Sequence, residues 1–283
     1  MVERKKKIIA KRLARNFHRT FIPERQYLGA LLKYAANDGL YDLQAIADST
    51  GIPTGVSSGK ALPTADYCNA MHLVTTRQAE DGIHLSLTSL GRIILLEDKF
   101  FREPLTQWIA HLYLCNKDDG AEVWYQIFWN SSDILGSDFC IDALTNWICP
   151  ILDTSDIKSL SPAIRMYSDE NSFMRCGALA ESESLLHRMK APVDSSFSIG
   201  YAAWLTDSIE RNNRSGEQVT VDELEAYCGF RAVTGWSLAE SQQILAMLEQ
   251  KGSFSIDRHM RPWIVCNKSS ADTLWKRLYE DFI

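Results

Sequence analysis

The sequence lacks several features that would place the protein outside the soluble globular class. It has no apolar run approaching the about 20 residues of a membrane-spanning helix, and we expect no membrane association. The basic N-terminus has neither the apolar stretch nor the cleavage site of a signal peptide. Seven cysteines, an odd number, are spread along the chain without a Cys-x-x-Cys pair. This pattern favours reduced thiols and predicts a cytoplasmic protein.

Signatures of known catalytic chemistry are also scarce. Residues 55–61 resemble a phosphate-binding loop, but three residues separate the glycines instead of four, and Ala61 replaces the magnesium-binding hydroxyl. Glu249-Gln250-Lys251 resembles the tail of a metal-dependent nuclease motif, yet it ends a predicted helix instead of lying on a strand. The six histidines show no metal-ligand spacing with the cysteines. The residues alone therefore assign no active site and make no cofactor evident.

The charge is distributed unevenly. Residues 1–25 contain nine Lys or Arg and two acids, a local charge of +7, whereas the whole chain carries −6, so residues 26–283 carry −13. A basic arm on an acidic body suits phosphate contacts, which supply affinity without sequence information. The alternative is a solvated chain end.

A first helix-rich module is predicted in residues 1–100, behind the basic arm. Leu28, Leu31 and Leu32 recur at helical spacing, and residues 47–51 have the small residues and glycine of a tight turn between helices. Residues 73–76 and 83–87, separated by a turn, read as a two-stranded wing. The pattern is typical of a winged helix-turn-helix, which places one helix in the DNA major groove. Winged modules also serve as protein–protein adaptors.

A second module of the same kind is predicted in residues 196–283. Thr220 and Ser237 are expected to cap two helices. Apolar residues around 254–256 and 263–265 flank a turn-like segment at 257–262 and read as a second wing. Between the modules, residues 101–195 are expected to be entirely helical. Four tryptophans at helical spacing there predict core packing in preference to a base-stacking platform: Trp108, Trp124, Trp129 and Trp147. The predicted fold is therefore mainly α, with two winged helix-turn-helix modules flanking a helical middle region.

An ordered set of motifs resembles a bacterial family of domains. It opens with Phe17-His18-Arg19-Thr20-Phe21-Ile22-Pro23-Glu24-Arg25, which is similar to a Phe-x-His-x-Thr-Phe-x-x-Arg type signature. Further matches follow in the same order: residues 87–91, 103–111, 124–130 and 197–201. The best-known members of this family are the SspB-like proteins of DNA phosphorothioation and phage-defence operons. The family usually has a compact basic segment before its second helix. This chain departs from that pattern, since it has the longer segment 51–62 with Asp66 beyond it, and the departure puts direct base contacts there in doubt.

The resemblance implies DNA nicking during installation of backbone sulfur, with Mg or Mn as the metals to test. It also implies double-stranded DNA and operon proteins as partners: a cysteine desulfurase, an ATPase and a phosphoadenosine phosphosulfate reductase-like enzyme. The leading hypothesis is a DNA-binding subunit with nickase activity in an antiviral defence or restriction-modification setting. The rival is a non-catalytic adaptor or transcriptional regulator that recruits partner enzymes.

The opening signature supplies the catalytic hypotheses. His18 would act as a general base, and Arg19 or Arg25 would steady a pentavalent phosphate. The alternative is that Phe17 and Phe21 anchor the arm while His18 satisfies a carbonyl. The predicted DNA-binding residues are Lys5, Lys6, Lys7, Lys11, Arg12, Arg15, Arg19, Arg25, Ser57, Ser58, Lys60, Arg231 and Gln242.

Overall fold

Helices make up most of the regular structure. The chain, seen in a computed structural model, is described over residues 12–55, 59–154, 157–212 and 218–282. Helix accounts for 49% and strand for 14% of the described residues, and the strands form small antiparallel sheets. The protein is therefore mainly helical, as predicted, but it is a mixed structure and not an all-helical one. No helix in the described ranges is long and apolar enough to cross a membrane.

The N-terminal unit consists of helices followed by one hairpin. Its elements are α1 (Arg25–Ala35), α2 (Leu43–Thr50), α3 (Ala61–Ala70), β1 (Val74–Ala79), β2 (Gly82–Leu87) and α4 (Ser89–Glu97). Asp42 caps α2 by accepting from the backbone N–H groups of Gln44 and Ala45, and Gly51 ends it with a φ of 72°. Leu40 forms an isolated antiparallel bridge with His84, so a short extended segment lies along β2. The predicted helices, turn and hairpin are all present.

The middle of the chain contains a sheet as well as helices. Its elements are α5 (Pro104–Leu114), α6 (Glu122–Trp124), a π-helical turn (Tyr125–Asn130), α7 (Ser132–Leu135), β3 (Asp138–Cys140), α8 (Ile141–Ile151), a 3₁₀ turn (Ile157–Leu160), α9 (Ser161–Arg165), β4 (Leu179–Ser182), β5 (Leu185–Arg188) and a 3₁₀ turn (Ser195–Phe197). The strands pair in the order β3-β5-β4. The expectation of an entirely helical middle is therefore wrong. The sequence did not reveal this sheet because strands of three or four residues are too short to show a period-two pattern. In addition, β3 pairs with a strand that is distant in sequence, so no local hairpin signal marks it.

The C-terminal unit repeats the order of helix, strand, two helices and hairpin. Its elements are α10 (Ser198–Arg211), β6 (Gln218–Thr220), α11 (Val221–Cys228), α12 (Leu238–Gln250), β7 (Phe254–Asp257), β8 (Ile264–Asn267), α13 (Ala271–Trp275) and a 3₁₀ turn (Glu280–Phe282). The strand order is β6-β8-β7. Thr220 and Ser237 form capping boxes with Glu223 and Glu240, which confirms both predicted helix starts.

One connected hydrophobic core runs through all three parts of the chain. Helix α10 lies at its centre, with eleven of its fourteen residues buried. Trp108 and Trp124 are 2% and 0% exposed, and Trp129 and Trp147 are partly buried against the core. The prediction of core packing is therefore confirmed for Trp108 and Trp124, while Trp129 and Trp147 pack against the edge of the core. The shared core holds the two end units against the middle.

Candidate nucleic-acid interface

The opening signature is built into the interior by its aromatic side chains. The Phe17 ring packs edge-on against Tyr67 of α3, with 4.8 Å between centroids, and lies 6.1 Å from the Trp124 ring. Leu13 forms a parallel bridge with Ala121, which fixes the chain just before the signature. Residues 13–21 therefore connect the N-terminal unit to the middle of the protein.

His18 lies in the core, with 1% of its surface exposed. Its Nδ1 accepts a hydrogen bond from the Thr20 N–H at 3.0 Å, and its Nε2 lies 3.1 Å from the Ser159 carbonyl. This tautomer is neutral, and burial lowers the pKa of His18 to about 4. Both ring nitrogens are engaged and the ring has almost no solvent access. His18 therefore fits the alternative in which it satisfies a carbonyl while Phe17 and Phe21 anchor the arm. A general base for DNA hydrolysis would need to reach the substrate.

Three arginines of the predicted interface are bound to main-chain carbonyls. Arg12 contacts the Lys117 carbonyl and pairs with Glu122 at 2.7 Å. Arg15 donates to the carbonyls of Leu152 and Asp153 at 2.6 and 3.1 Å. Arg25 donates to the carbonyls of Glu170 and Phe100. These guanidinium groups hold remote segments together, so part of their donor capacity is already used within the protein.

Arg19 is different, because it is exposed and forms no ion pair within the described residues. It and Thr20 have φ values of 47° and 73°, a left-handed conformation that is uncommon for non-glycine residues. The turn carries Arg19 towards the outside, close to Asp66 of α3, whose pKa is raised by burial and lowered in part by the arginine charge.

Lys60, in the segment that resembles a phosphate-binding loop, lies beside the opening signature. Its Nζ lies 2.5 Å from Glu24 Oε1 and 5.4 Å from the ring centroids of Phe21 and Tyr27. A cleft of about 300 Å³ opens beside this pair. Arg165, exposed on the same cleft, donates to the Thr20 carbonyl at 3.4 Å. The opening signature and the Gly59-Lys60 loop thus form one mixed-charge cleft.

The two end units differ in how much of their third helix is accessible. In α3, seven of ten residues are buried, and the partly exposed Asp66 is acidic. In α12, only four of thirteen residues are buried, and Leu238 is 54% exposed. Helix α3 packs under the opening signature, which leaves α12 as the more accessible of the two.

The accessible face of the C-terminal unit combines α12 with the β7–β8 loop. A groove of about 340 Å³ runs between them and is lined by Leu238, Gln242, Arg261 and Trp263 among others. Arg261 is exposed, whereas Arg258 pairs with Glu249 at 2.7 Å. Sequence reasoning identified the turn at 257–262 but missed its arginines, although a basic wing tip is a recognisable signal.

The remaining predicted residues fall in two groups. Arg231 lies 3.8 Å from Glu225, and its backbone N–H donates to the same carboxylate. Lys5, Lys6, Lys7, Lys11, Ser57 and Ser58 lie outside the described residues. The structure therefore places Lys60 on a cleft beside the opening signature, leaves Arg19 exposed within that signature, and places Gln242 and Arg231 on a separate unit.

The two catalytic look-alikes in the sequence have ordinary structural roles. Glu249, near the end of α12, accepts from the Ile256 N–H at 2.8 Å, and Lys251 pairs with Asp281 at 2.6 Å. Across the described residues, no three His, Cys, Asp or Glu side chains cluster as a metal cage would require. A magnesium ion bound to the described part of the protein would therefore be held by only one or two carboxylates, with water completing its coordination.

The fold defines a mainly helical protein with two similarly connected end units on a shared core. A crystal structure of SspB has this fold, with a TM-score of 0.68 and 17% identity over 96% of this chain and 90% of that chain. A magnesium-bound crystal structure of SspB gives a TM-score of 0.68 and 16% identity over 96% and 89%. No protein-family model and no curated protein matches the chain. The resemblance inferred from the ordered motifs is thus confirmed as structural similarity to SspB.

Proposed function

We propose that this protein is the DNA-binding component of a bacterial DNA phosphorothioation or anti-phage defence system, and that it nicks strands so that partner enzymes can install sulfur. The observation that carries this proposal is the similarity to SspB along 96% of the chain, in agreement with the ordered motifs. The partners would be double-stranded DNA, a cysteine desulfurase, an ATPase and a phosphoadenosine phosphosulfate reductase-like enzyme.

We assign a winged helix-turn-helix role to both end units, with units at 1–100, 101–195 and 196–283. Their connectivity supports this role. In the C-terminal unit, α10, β6, α11, α12, β7 and β8 follow the order of a winged helix, and β8 lies between β6 and β7. In the N-terminal unit the Leu40 bridge takes the place of the first strand.

The accessible surfaces give the two units different tasks. The C-terminal unit would read DNA through α12, with Gln242 towards the bases and Arg261 on the adjacent backbone. The N-terminal unit would contribute phosphate contacts from Arg19 and Lys60, together with the basic residues of the arm. The acidic body, at −13 for residues 26–283, favours binding confined to these basic surfaces.

Nicking is tested with supercoiled plasmid, without metal and with Mg²⁺ or Mn²⁺. Conversion to open circles by the parent supports the nickase. Arg19→Lys should impair nicking while retaining most binding, since Lys cannot make two parallel hydrogen bonds to a phosphate. Arg277→Lys, at a partly exposed arginine paired with Glu280, is the matched control. A parent that binds DNA but never nicks it would favour the adaptor or transcriptional regulator.

A further inference from the structure

The exposed face of the middle sheet carries a serine, a histidine and an aspartate in a hydrogen-bonded row. Ser182 Oγ lies 2.7 Å from His187 Nε2, and His187 Nδ1 lies 2.5 Å from Asp138 Oδ1. The row follows from the register: Asp138 on β3 and Ala180 on β4 both pair with His187 on β5. Ser182, two residues beyond Ala180, projects to the same face as His187.

This order of contacts is that of a nucleophile, its base and the group that orients the base. With the Nδ1 proton donated to Asp138, the Nε2 lone pair faces the Ser182 hydroxyl. Asp138 is ionised at neutral pH, because two hydrogen bonds lower its pKa: the larger effect comes from Ser137 and the smaller from His187. Unlike His18, this histidine is partly exposed, with 28% of its side chain accessible.

The turn after Ser182 supplies two further hydrogen-bond donors. Glu183 and Ser184 have φ values of 50° and 78° and form the two-residue loop between β4 and β5. Their backbone N–H groups donate to no other described residue. In serine hydrolases the N–H of the residue following the nucleophile stabilises the oxyanion. The Glu183 N–H occupies that position in the chain.

The surroundings select the class of substrate. Glu183, exposed in the turn directly after Ser182, carries a carboxylate that disfavours a negatively charged phosphodiester. Leu185, which is 41% exposed, lies on the same face as the row, because it pairs with Ser182 on one side and with Cys140 on the other. We propose that Ser182, His187 and Asp138 form a hydrolytic site for neutral carboxylic esters with a small apolar acyl group, separate from the DNA-binding surfaces.

The chemistry balances without a cofactor. Ser182 Oγ attacks the carbonyl carbon as its proton passes to His187 Nε2. The bond from that carbon to the leaving oxygen breaks, and the alcohol departs with the proton from Nε2. Water, deprotonated by the same nitrogen, then releases the carboxylic acid and restores the serine. Asp138 acts as a positioning residue, because it stabilises the imidazolium formed in both steps.

Covalent labelling tests the nucleophile on the full chain. A fluorophosphonate probe should modify Ser182, as located by peptide mass spectrometry, and hydrolysis of p-nitrophenyl butyrate should accompany it. Ser182→Ala and His187→Gln should abolish both signals. Ser168→Ala is the control, since that exposed serine donates to the Arg165 carbonyl and contacts no histidine, and it should keep both signals.

Asp138→Asn separates positioning from a merely structural role. It should lower the labelling rate by about 10²-fold or more and change its pH profile, because the imidazolium loses its counter-charge. Unchanged thermal unfolding of these surface variants would show that folding is intact. Absence of labelling in the folded parent, or equal labelling of Ser182→Ala and the parent, would overturn the assignment.

Discussion

Burial of His18 predicts that the protein loses stability on mild acidification. The pKa of His18 falls from 6.5 to about 4 in the folded protein, first because of burial. A lowered histidine pKa means that the fold favours the neutral ring, so its stabilisation is complete above pH 6.5. It is lost as the pH falls towards 4, because the unfolded chain takes up the proton that the folded chain excludes.

The size of the effect follows from the two pKa values. One pKa unit corresponds to about 1.36 kcal/mol, so the full shift is worth about 3.4 kcal/mol, and about 2 kcal/mol of this is lost by pH 5. His111 is also fully buried, and its pKa is lowered to about 3 by burial, which adds a similar loss. The parent should therefore lose about 4 kcal/mol of unfolding free energy between about pH 7.5 and pH 5.

His18→Gln removes one of the two titrations and should reduce that loss by about 2 kcal/mol, whatever the substitution does to stability at pH 7.5. Urea unfolding at both pH values, with the m-value checked for constancy, measures the difference. His84→Gln is the control. The pKa of that partly buried histidine is raised, first by the Asp38 carbonyl, so its removal should not reduce the acid loss. An equal pH dependence in His18→Gln and the parent would refute the buried, neutral state of His18.

Three further perturbations test the core, a close backbone contact and the DNA surface. Trp108→Ala should cost about 3–5 kcal/mol of unfolding free energy in urea, because the ring is 2% exposed; normal stability with lost DNA binding would instead indicate a stacking surface. Gly91→Ala should lower the melting temperature strongly, since an added Cβ would lie 1.9 Å from the Leu73 carbonyl oxygen. Leu96→Ala on the same helix, at a side chain that is 71% exposed, should change it little. Arg261→Ala should weaken binding to duplex DNA, as measured by fluorescence anisotropy. If Arg261 neutralises one phosphate, the slope of log binding constant against log salt concentration should fall by about 0.9 in magnitude. An unchanged slope would contradict that contact.

Local signals in the sequence were reliable where the chemistry is local. Thr220 and Ser237 satisfy backbone N–H groups within their own first turns, so the residue type predicts the helix start without further context. The hairpins β1–β2 and β7–β8 also connect neighbouring segments. The motif at 87–91 is explained in the same way: Thr88 caps α4, and Gly91 allows that helix to lie against Leu73.

Electrostatic hypotheses from sequence were less complete, because charge alone does not show what a side chain contacts. Arg12, Arg15 and Arg25 look alike in a basic arm, yet each binds a main-chain carbonyl from a distant segment. Arg19 remains exposed because a left-handed turn directs it outwards. Nothing in the order of residues distinguishes these outcomes.

By itself, the sequence determined the mainly helical character, the capped helices and the terminal hairpins, since periodicity and caps are carried by neighbouring residues. It also determined the core tryptophans and, through its ordered motifs, the likeness to SspB. Only the tertiary structure decided the burial of α3 and His18, because both depend on which surface the opening signature covers. It also decided the row of Ser182, His187 and Asp138. That row arises because β5 pairs with β3, which precedes it by more than forty residues, and a pairing between such distant strands is set by the global fold.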